Sequence, residues 1–268
     1  DSKMGTKLLI SREKSLTSVI SKKLCEYNDL RKSVERNVVI EAINQVNINN
    51  NDIICVHKEN WHPGVLGIVA SRLTEKFHRP SIVISENHEF CSASCRSVKS
   101  YDIGKLIMES VNKGLLISGG GHKMAGGFKI NRSKISNFKE SLKNKFTKSL
   151  EDLKKIFEFE LSLSLINNQL YNQIEKFSPF GIGNPRPRFY LSDCFIKFPR
   201  IVGEKHYSFY LEDTYGSRIK AISFNSLGSK VGNVIESSGN IKGVIVTLQM
   251  NTWAGEDKTE VQIEDIIT

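Results

Sequence analysis

The chain has 268 residues, 39% of them hydrophobic and 25% charged, which suits a globular protein of one large or two ordinary domains. No apolar run approaches the roughly 20 residues that span a bilayer, so a helical membrane protein is excluded, and the polar N-terminus does not read as a secretory signal. The net charge of +9 is unevenly placed: residues 1–150 carry 25 Lys and Arg against 14 Asp and Glu, a net +11, whereas residues 151–268 carry 13 against 15, a net −2. A basic half suits a polyanionic partner such as nucleic acid.

Asp1-Ser2-Lys3 is not an initiation sequence, so more chain is expected upstream, and residues 1–10 read as a frayed start. From 15 to about 46, Leu16, Ile20, Leu24, Tyr27, Leu30, Val34, Val38 and Ala42 recur at three and four residues and predict one long helix with a single apolar stripe. Asn47 to Asp52 end it with turn-forming residues. Residues 53–57 then form a short buried strand. The Pro63-Gly64 pair sets a helix start near Gly64, with His62 either capping it or contacting a ligand. That helix runs through Arg72 and Leu73. Residues 80–84 are a continuous apolar strand of a sheet covered on both faces.

Phe90 to Ser97 is a strand of small residues ending in Arg96, whose guanidinium either grips a phosphate bidentately or pairs with a surface carboxylate. Tyr101-Asp102 opens a helix through Ile103, Leu106, Ile107 and Val111. The run Ser118-Gly119-Gly120-Gly121-His122-Lys123-Met124-Ala125-Gly126-Gly127 follows, with five glycines in nine residues from Gly119. It reads as a loop between two buried segments, whose backbone N–H groups approach an anion closely while His122 and Lys123 donate to it. A basic amphipathic helix is expected from Ser133 to about Leu150, with Ile135, Phe138, Leu142 and Phe146 in the core and its lysines solvated. The strand–helix alternation from 53 to 130 argues an α/β domain.

Beyond residue 156 the pattern changes. Residues 156–163 alternate as a half-buried strand does, and a short helix at 170–177 leads to a rigid Pro/Gly turn at 178–187. Strands are expected at 189–193, 206–212, 218–224, 240–250 and 260–266, which suits a small Greek-key barrel of the oligonucleotide-binding (OB) type. Its aromatics are Tyr207, Phe209, Tyr210, Phe224 and Trp253, of which one or two are expected outside to stack on bases. The domains are therefore set at 1–50 for the connecting helix, 51–152 for the α/β domain and 153–268 for the barrel. The odd, scattered cysteines Cys25, Cys55, Cys91, Cys95 and Cys194 have no zinc-binding spacing and read as reduced thiols of a cytoplasmic protein.

Several stretches together resemble the RecJ family of single-strand-specific 5′→3′ exonucleases: Trp61 to Leu73, Arg96-Ser97, Gly119 to Gly127, Pro179 to Pro185, and the end from Asn251 through Trp253 to Ile266. The match runs in order over nearly all the chain, including Tyr27 to Arg31 in the long helix. The resemblance implies a DHH-associated α/β domain followed by an OB barrel. It also implies an Asp/His-rich DHH domain holding Mn2+ or Mg2+, with the glycine-rich run facing that metal cleft. No Asp-His-His triplet or dense carboxylate cluster stands in this sequence. The expectation is thus a substrate-gripping part that binds no metal and is inactive alone, belonging to an exonuclease of DNA recombination and repair. The partners implied are single-stranded DNA and single-strand-binding or other repair proteins. The alternatives are a non-catalytic single-strand-binding module and a small-oligonucleotide phosphodiesterase of the same superfamily. By this resemblance Gly120, Gly121 and His122 touch substrate phosphate, Ser94 and Arg96 clamp a nearby one, and His62, Arg72, Gly119, Lys123, Tyr207 and Trp253 join the nucleic-acid-binding set. Two departures stand out: Ala93 and Cys95 replace glycines common in the family, and Gly126 replaces an alanine.

Overall fold

The computed structural model describes residues 3–47, 52–87, 90–147, 149, 156–181, 183–252, 255 and 257–268. It divides into two units, Asp1–Lys154 and Lys155–Thr268.

In the first unit, helix α1 (Met4–Ile10) stands where a frayed start was expected, and helix α2 (Lys14–Gln45) is the long predicted helix. Its apolar stripe is covered mainly near the C-terminal end. There Val38 and Ala42 join a core with Trp61, Leu66, Val69, Ala70 and Leu73, whereas Leu16, Tyr27 and Leu30 are exposed, Leu30 at 62%. Trp61 locks this contact by donating its indole N–H to Glu41 Oε2 at 2.7 Å. That bond, with Lys58, holds the Glu41 carboxyl below its ordinary range.

A five-stranded sheet follows, built from β1 (Ile54–Glu59), β2 (Ser81–Glu86), β3 (Phe90–Arg96), β4 (Ser118–His122) and β5 (Ala125–Asn131). Its order is β1-β2-β3-β5-β4, with β1 and β2 parallel and the other pairs antiparallel. Because side chains alternate along a strand, the pairing register sorts them into two faces. One face carries Cys55, Ile82, Ile84, Cys91, Ala93, Cys95, Phe128 and Ile130 and packs against helix α4 (Ile103–Asn112) and helix α5 (Ile135–Ser141). The other carries Ile54, Val56 and Val83 under α2 and helix α3 (Leu66–Phe77). Asp102 caps α4 by accepting from Lys105 N.

The basic helix is shorter than expected. It ends at Ser141, and Asn144 takes a left-handed conformation that breaks the helical path. Ile135, Phe138, Leu142 and Phe146 are nonetheless all buried. Burial pushes the Cys55 thiol up to about 12 and raises Cys95 as well, so both stay protonated and inert at neutral pH.

In the second unit only Phe159–Glu160 of the expected 156–163 strand pairs, as the short strand β6 alongside β7, and Leu163–Leu165 turn as a 3-10 helix that buries Leu163. Helix α6 (Asn168–Glu175) leads to the Pro/Gly turn, where Arg186 reaches Glu175 Oε1 at 2.6 Å and lies 4.5 Å from the Phe180 ring. Five strands then close a barrel: β7 (Phe189–Val202), β8 (His206–Glu212), β9 (Arg218–Ser223), β10 (Asn240–Asn251) and β11 (Lys258–Ile267). The order β7-β8-β9-β11-β10 returns to β7, with β9 and β11 parallel, and helix α7 (Lys230–Ser237) bridges β9 and β10. This is the OB topology expected from the sequence. Phe209, Leu211, Leu191, Val244 and Val261 fill its centre. Among the described residues no helix is long and apolar enough to cross a membrane.

Phe209 is 1% exposed at the middle of the barrel. Phe209→Ala is expected to cost about 3–5 kcal/mol of stability, read as a lowered urea midpoint for the second unit; a change under about 1 kcal/mol would mean the barrel is not held by this core.

Candidate nucleic-acid interface

The glycine-rich run is not a loop. It is a β-hairpin, β4 and β5 joined by the two residues Lys123 and Met124, and β4 is the edge of the sheet. None of its glycines has a positive φ, so backbone freedom is not what this run needs. The requirement is space. Added methyl groups at Gly119 and Gly126 would come within 2.8 Å of Ile107 Cγ2 and 2.5 Å of Ile107 Cδ1, and one at Gly121 would run into Ala125 O and come within 2.5 Å of Gly126 Cα. From the helix side, a methyl at Gly104 would lie 3.1 Å from the backbone of Gly121 and His122. The hairpin tip is tied down by two backbone bonds, Ser97 N to Met124 O at 2.9 Å and Ile103 N to Lys123 O at 3.2 Å.

Gly119, Gly121 and Gly126 therefore serve the face that meets α4. The alternate positions serve the opposite face, and three cross-strand rows can be read from the register. Arg96 pairs with Ala125, which pairs with His122; Ser94 pairs with Gly127, which pairs with Gly120; Ser92 pairs with Lys129, which pairs with Ser118. Paired residues share a face. The result is a shelf of small residues over β5 and β4, flanked by β3, on which α3 packs with Gly67 against Arg96 and Ser94; Arg96 and His122 stand in one row about two strand spacings, or about 10 Å, apart. A methyl at Gly120 would meet nothing within 4 Å, so the middle row is open.

Arg96 is half-buried. Its Nη1 donates to Cys95 O at 2.9 Å, and its Nη2 lies against the first turn of α3, where a methyl on Gly67 would come within 3.3 Å of it and 3.8 Å of Ser94 Oγ. Among the described residues no carboxylate forms an ion pair with Arg96, so the surface-pair reading finds no partner. Such a guanidinium, beside exposed His122 and Lys123, suits an oxyanion with several acceptor oxygens.

The other expected site residues fare differently. His62 caps: its Nδ1 accepts from Gly64 N at 3.0 Å. Arg72 is a structural residue, bound to Glu75 at 3.3 Å and near Glu35 at 3.6 Å, because five residues of helix turn it away from Gly67. Tyr207 is a core residue, 3% exposed, whose hydroxyl donates to Glu236; that carboxylate raises the phenol to about 12. Trp253 lies outside the described residues. Ala93 and Cys95 point to the buried α4 face, so their replacement of glycine leaves the shelf as open as before. Gly67, Gly104, Ala125, Gly127 and Ser97 were not singled out as site residues, although all but Gly104 stand within the motifs named above; their importance lies in contacts that spacing does not reveal.

On the barrel, Tyr210, 39% exposed, and Phe198, 66% exposed, face outward, with Phe224 and Tyr215 also outside. Lys197, Tyr210 and Lys220 form one cross-strand row, and Arg218 lies 5.5 Å from the Phe198 ring and 5.9 Å from that of Tyr210. Phe198, Arg218 and Lys220 were not singled out in the sequence. Their cations are partly neutralised: Arg218 pairs with Glu212, and Lys220 reaches buried Glu260 at 3.2 Å. A 760 Å3 cavity beside them is lined by Tyr210, Lys220, Asn168, Asn251 and Lys258.

Among the described residues no three His, Cys, Asp or Glu side chains come together to hold a metal ion. No chemical step through a divalent ion is assigned to these residues.

The sequence matches the family described as the DHHA1 domain over residues 36–148 and that described as the RecJ OB domain over residues 157–265. It is 26% identical over 268 residues to the single-stranded-DNA-specific exonuclease RecJ of Bacillus subtilis, covering 96% of this chain and 33% of that protein. The same-named protein of Haemophilus influenzae is 27% identical over 83% of this chain and 41% of its own length. That of Escherichia coli is 24% identical over 99% of this chain and 48% of its own length. The chain thus spans between a third and a half of these relatives. Its fold is shared with crystal structures of Thermus thermophilus RecJ in complex with Mg2+ and with Mn2+. Both give TM-scores of 0.74, with 22% and 23% identity over 99% of this chain and 40% and 38% of those chains.

The two kinds of glycine are separable. Gly121→Ala is expected to destabilise the first unit by about 1–3 kcal/mol through overpacking, while Gly120→Ala changes stability by less than about 0.5 kcal/mol. Equal effects in urea unfolding would mean the tight fit of Gly121 against Ala125 and Gly126 is not what demands glycine.

Proposed function

We propose, from a chain that belongs to the RecJ family through its DHHA1 and RecJ OB domains, that it is the substrate-gripping part of a 5′→3′ single-stranded-DNA exonuclease of recombination and repair. The observation that carries this reading is the row of Arg96 and His122 on an open shelf, with no carboxylate partner for the guanidinium among the described residues. A phosphodiester is the anion that suits it: the bare Ser94, Ala125, Gly120 and Gly127 positions let a sugar–phosphate backbone lie flat, and the guanidinium and imidazole supply directed donors. Arg96 and Ser94 hold one phosphate against the start of α3, and His122 and the free edge of β4 meet its neighbour.

Metal-dependent hydrolysis in this reading needs ligands other than the described residues. Mg2+ or Mn2+ held by a DHH domain would polarise the scissile phosphoryl group and supply the hydroxide; the present residues orient the strand. The barrel adds stacking through Tyr210 and Phe198. A second reading, a non-catalytic single-strand-binding module, is favoured by that aromatic and cationic barrel face. The barrel argues against a small-oligonucleotide phosphodiesterase, since it extends the surface beyond what a dinucleotide needs.

Arg96→Ala and His122→Ala are expected to weaken binding of a short 5′-phosphorylated single strand by about tenfold each, with folding intact by circular dichroism. The wild-type affinity should fall steeply as salt rises, because phosphate contacts release counterions. A salt-independent isotherm, or affinity unmoved by both variants, contradicts the reading. With Mn2+ and single-stranded DNA, the 268-residue chain should release no nucleotides; metal-dependent release would contradict the division of labour.

A further inference from the structure

We propose that Lys129 forms a second phosphate subsite, separate from the Arg96–His122 row, and that it makes binding depend on strand length; this rests on the reading of the shelf given above. Lys129 lies on β5 four residues from Ala125, so the two share a face of the sheet. Its neighbours Phe128 and Ile130 are buried on the opposite face, and Lys129 itself is exposed. Its row continues through Ser92, Ser85 and Lys58 on one side and Ser118 on the other; Lys58 is paired with Glu41, and among the described residues no carboxylate forms an ion pair with the Lys129 ammonium group. Several cations of this unit are paired, as Arg132 is with Glu59 and Glu86, Lys58 with Glu41 and Arg31 with Glu35. An ammonium group at one end of the small-residue shelf and a guanidinium at the other, neither ion-paired among the described residues, make an arrangement suited to a polyanion lying between them.

The spacing sets the ligand. Four strand residues at about 3.3 Å each separate the two rows by about 13 Å. Phosphates of one stacked strand rise by about 3.4 Å per nucleotide, and lie further apart in a strand drawn out straight, so the gap spans roughly two to four nucleotides. The open middle row of Ser94, Gly127 and Gly120 lies under the intervening nucleotides, where a side chain would lift the strand off the sheet. A mononucleotide reaches one row only, and a single-stranded oligonucleotide reaches both.

The test measures binding of a 5′-phosphorylated mononucleotide and a 5′-phosphorylated hexanucleotide to the 268-residue chain across a salt series. Lys129→Ala should weaken the hexanucleotide about three- to tenfold, lower the slope of log affinity against log salt by about 1, and leave the mononucleotide unchanged. Lys129→Arg should restore the hexanucleotide. If Lys129→Ala leaves the hexanucleotide and its salt slope unchanged while Arg96→Ala weakens both ligands, the second subsite is refuted and the reading of the shelf survives. If Lys129→Ala weakens both ligands equally, Lys129 acts through the general field and the subsite is refuted. If Arg96→Ala and His122→Ala also change nothing, the subsite and the shelf reading fall together.

Discussion

The contact between helix α4 and the β4–β5 hairpin is the constraint on which the first unit depends. At Gly104, Gly119 and Gly126 the helix and hairpin approach so closely that an added methyl would collide, with Ile107 filling the gap, and at Gly121 a methyl would strike the paired strand β5. With the hairpin seated and its turn bonded to Ser97 and Ile103, β5 lies flush against β3. Arg96, Ala125 and His122 then fall in one row. The period-2 alternation of a strand gives the glycines two tasks, close packing on one face and an open shelf on the other. One short motif therefore builds both the support and the surface it presents.

Pairing of charge separates the two units. On the shelf, Arg96 and Lys129 lack carboxylate partners among the described residues, and their full charge is available to an anion. On the barrel, Glu212 and buried Glu260 stand against Arg218 and Lys220. Those pairs position the aromatic side chains more than they attract phosphate. The net +11 of the first 150 residues and the net −2 of the rest are the sequence-level trace of this difference. The first unit is suited to the electrostatic grip, and the barrel to stacking against bases, worth about 1–3 kcal/mol for each base.

Much of this was legible in the residues. The long helix, the α/β alternation and the five barrel strands follow from apolar periodicity, and the glycine-rich run marked the right place. Its form was not legible, because glycine has low strand propensity and reads as loop unless a helix packs against it. Contacts decided the other differences too. Nothing in the stripe of α2 says that its C-terminal end, around Val38 and Ala42, meets α3 while Leu16, Tyr27 and Leu30 stay exposed. The alternating stretch at 156–163 has a strand's pattern but pairs only at Phe159–Glu160. Asn144 ends the basic helix by its backbone conformation. Tyr207 was within reach: it shares a strand face with Phe209 and Leu211, and counting by two from that buried pair places it inside and Tyr210 outside. Arg72 likewise sits five residues from Gly67, on a different side of α3.

The most direct test of the central claim is amide chemical-shift mapping with a short 5′-phosphorylated single-stranded oligonucleotide. The account predicts that the largest changes fall on Ser94, Arg96, Gly120, His122, Ala125 and Gly127, the open face of β3, β5 and β4. Changes confined to the α4 side of the sheet, or to the barrel alone with this face silent, would contradict it.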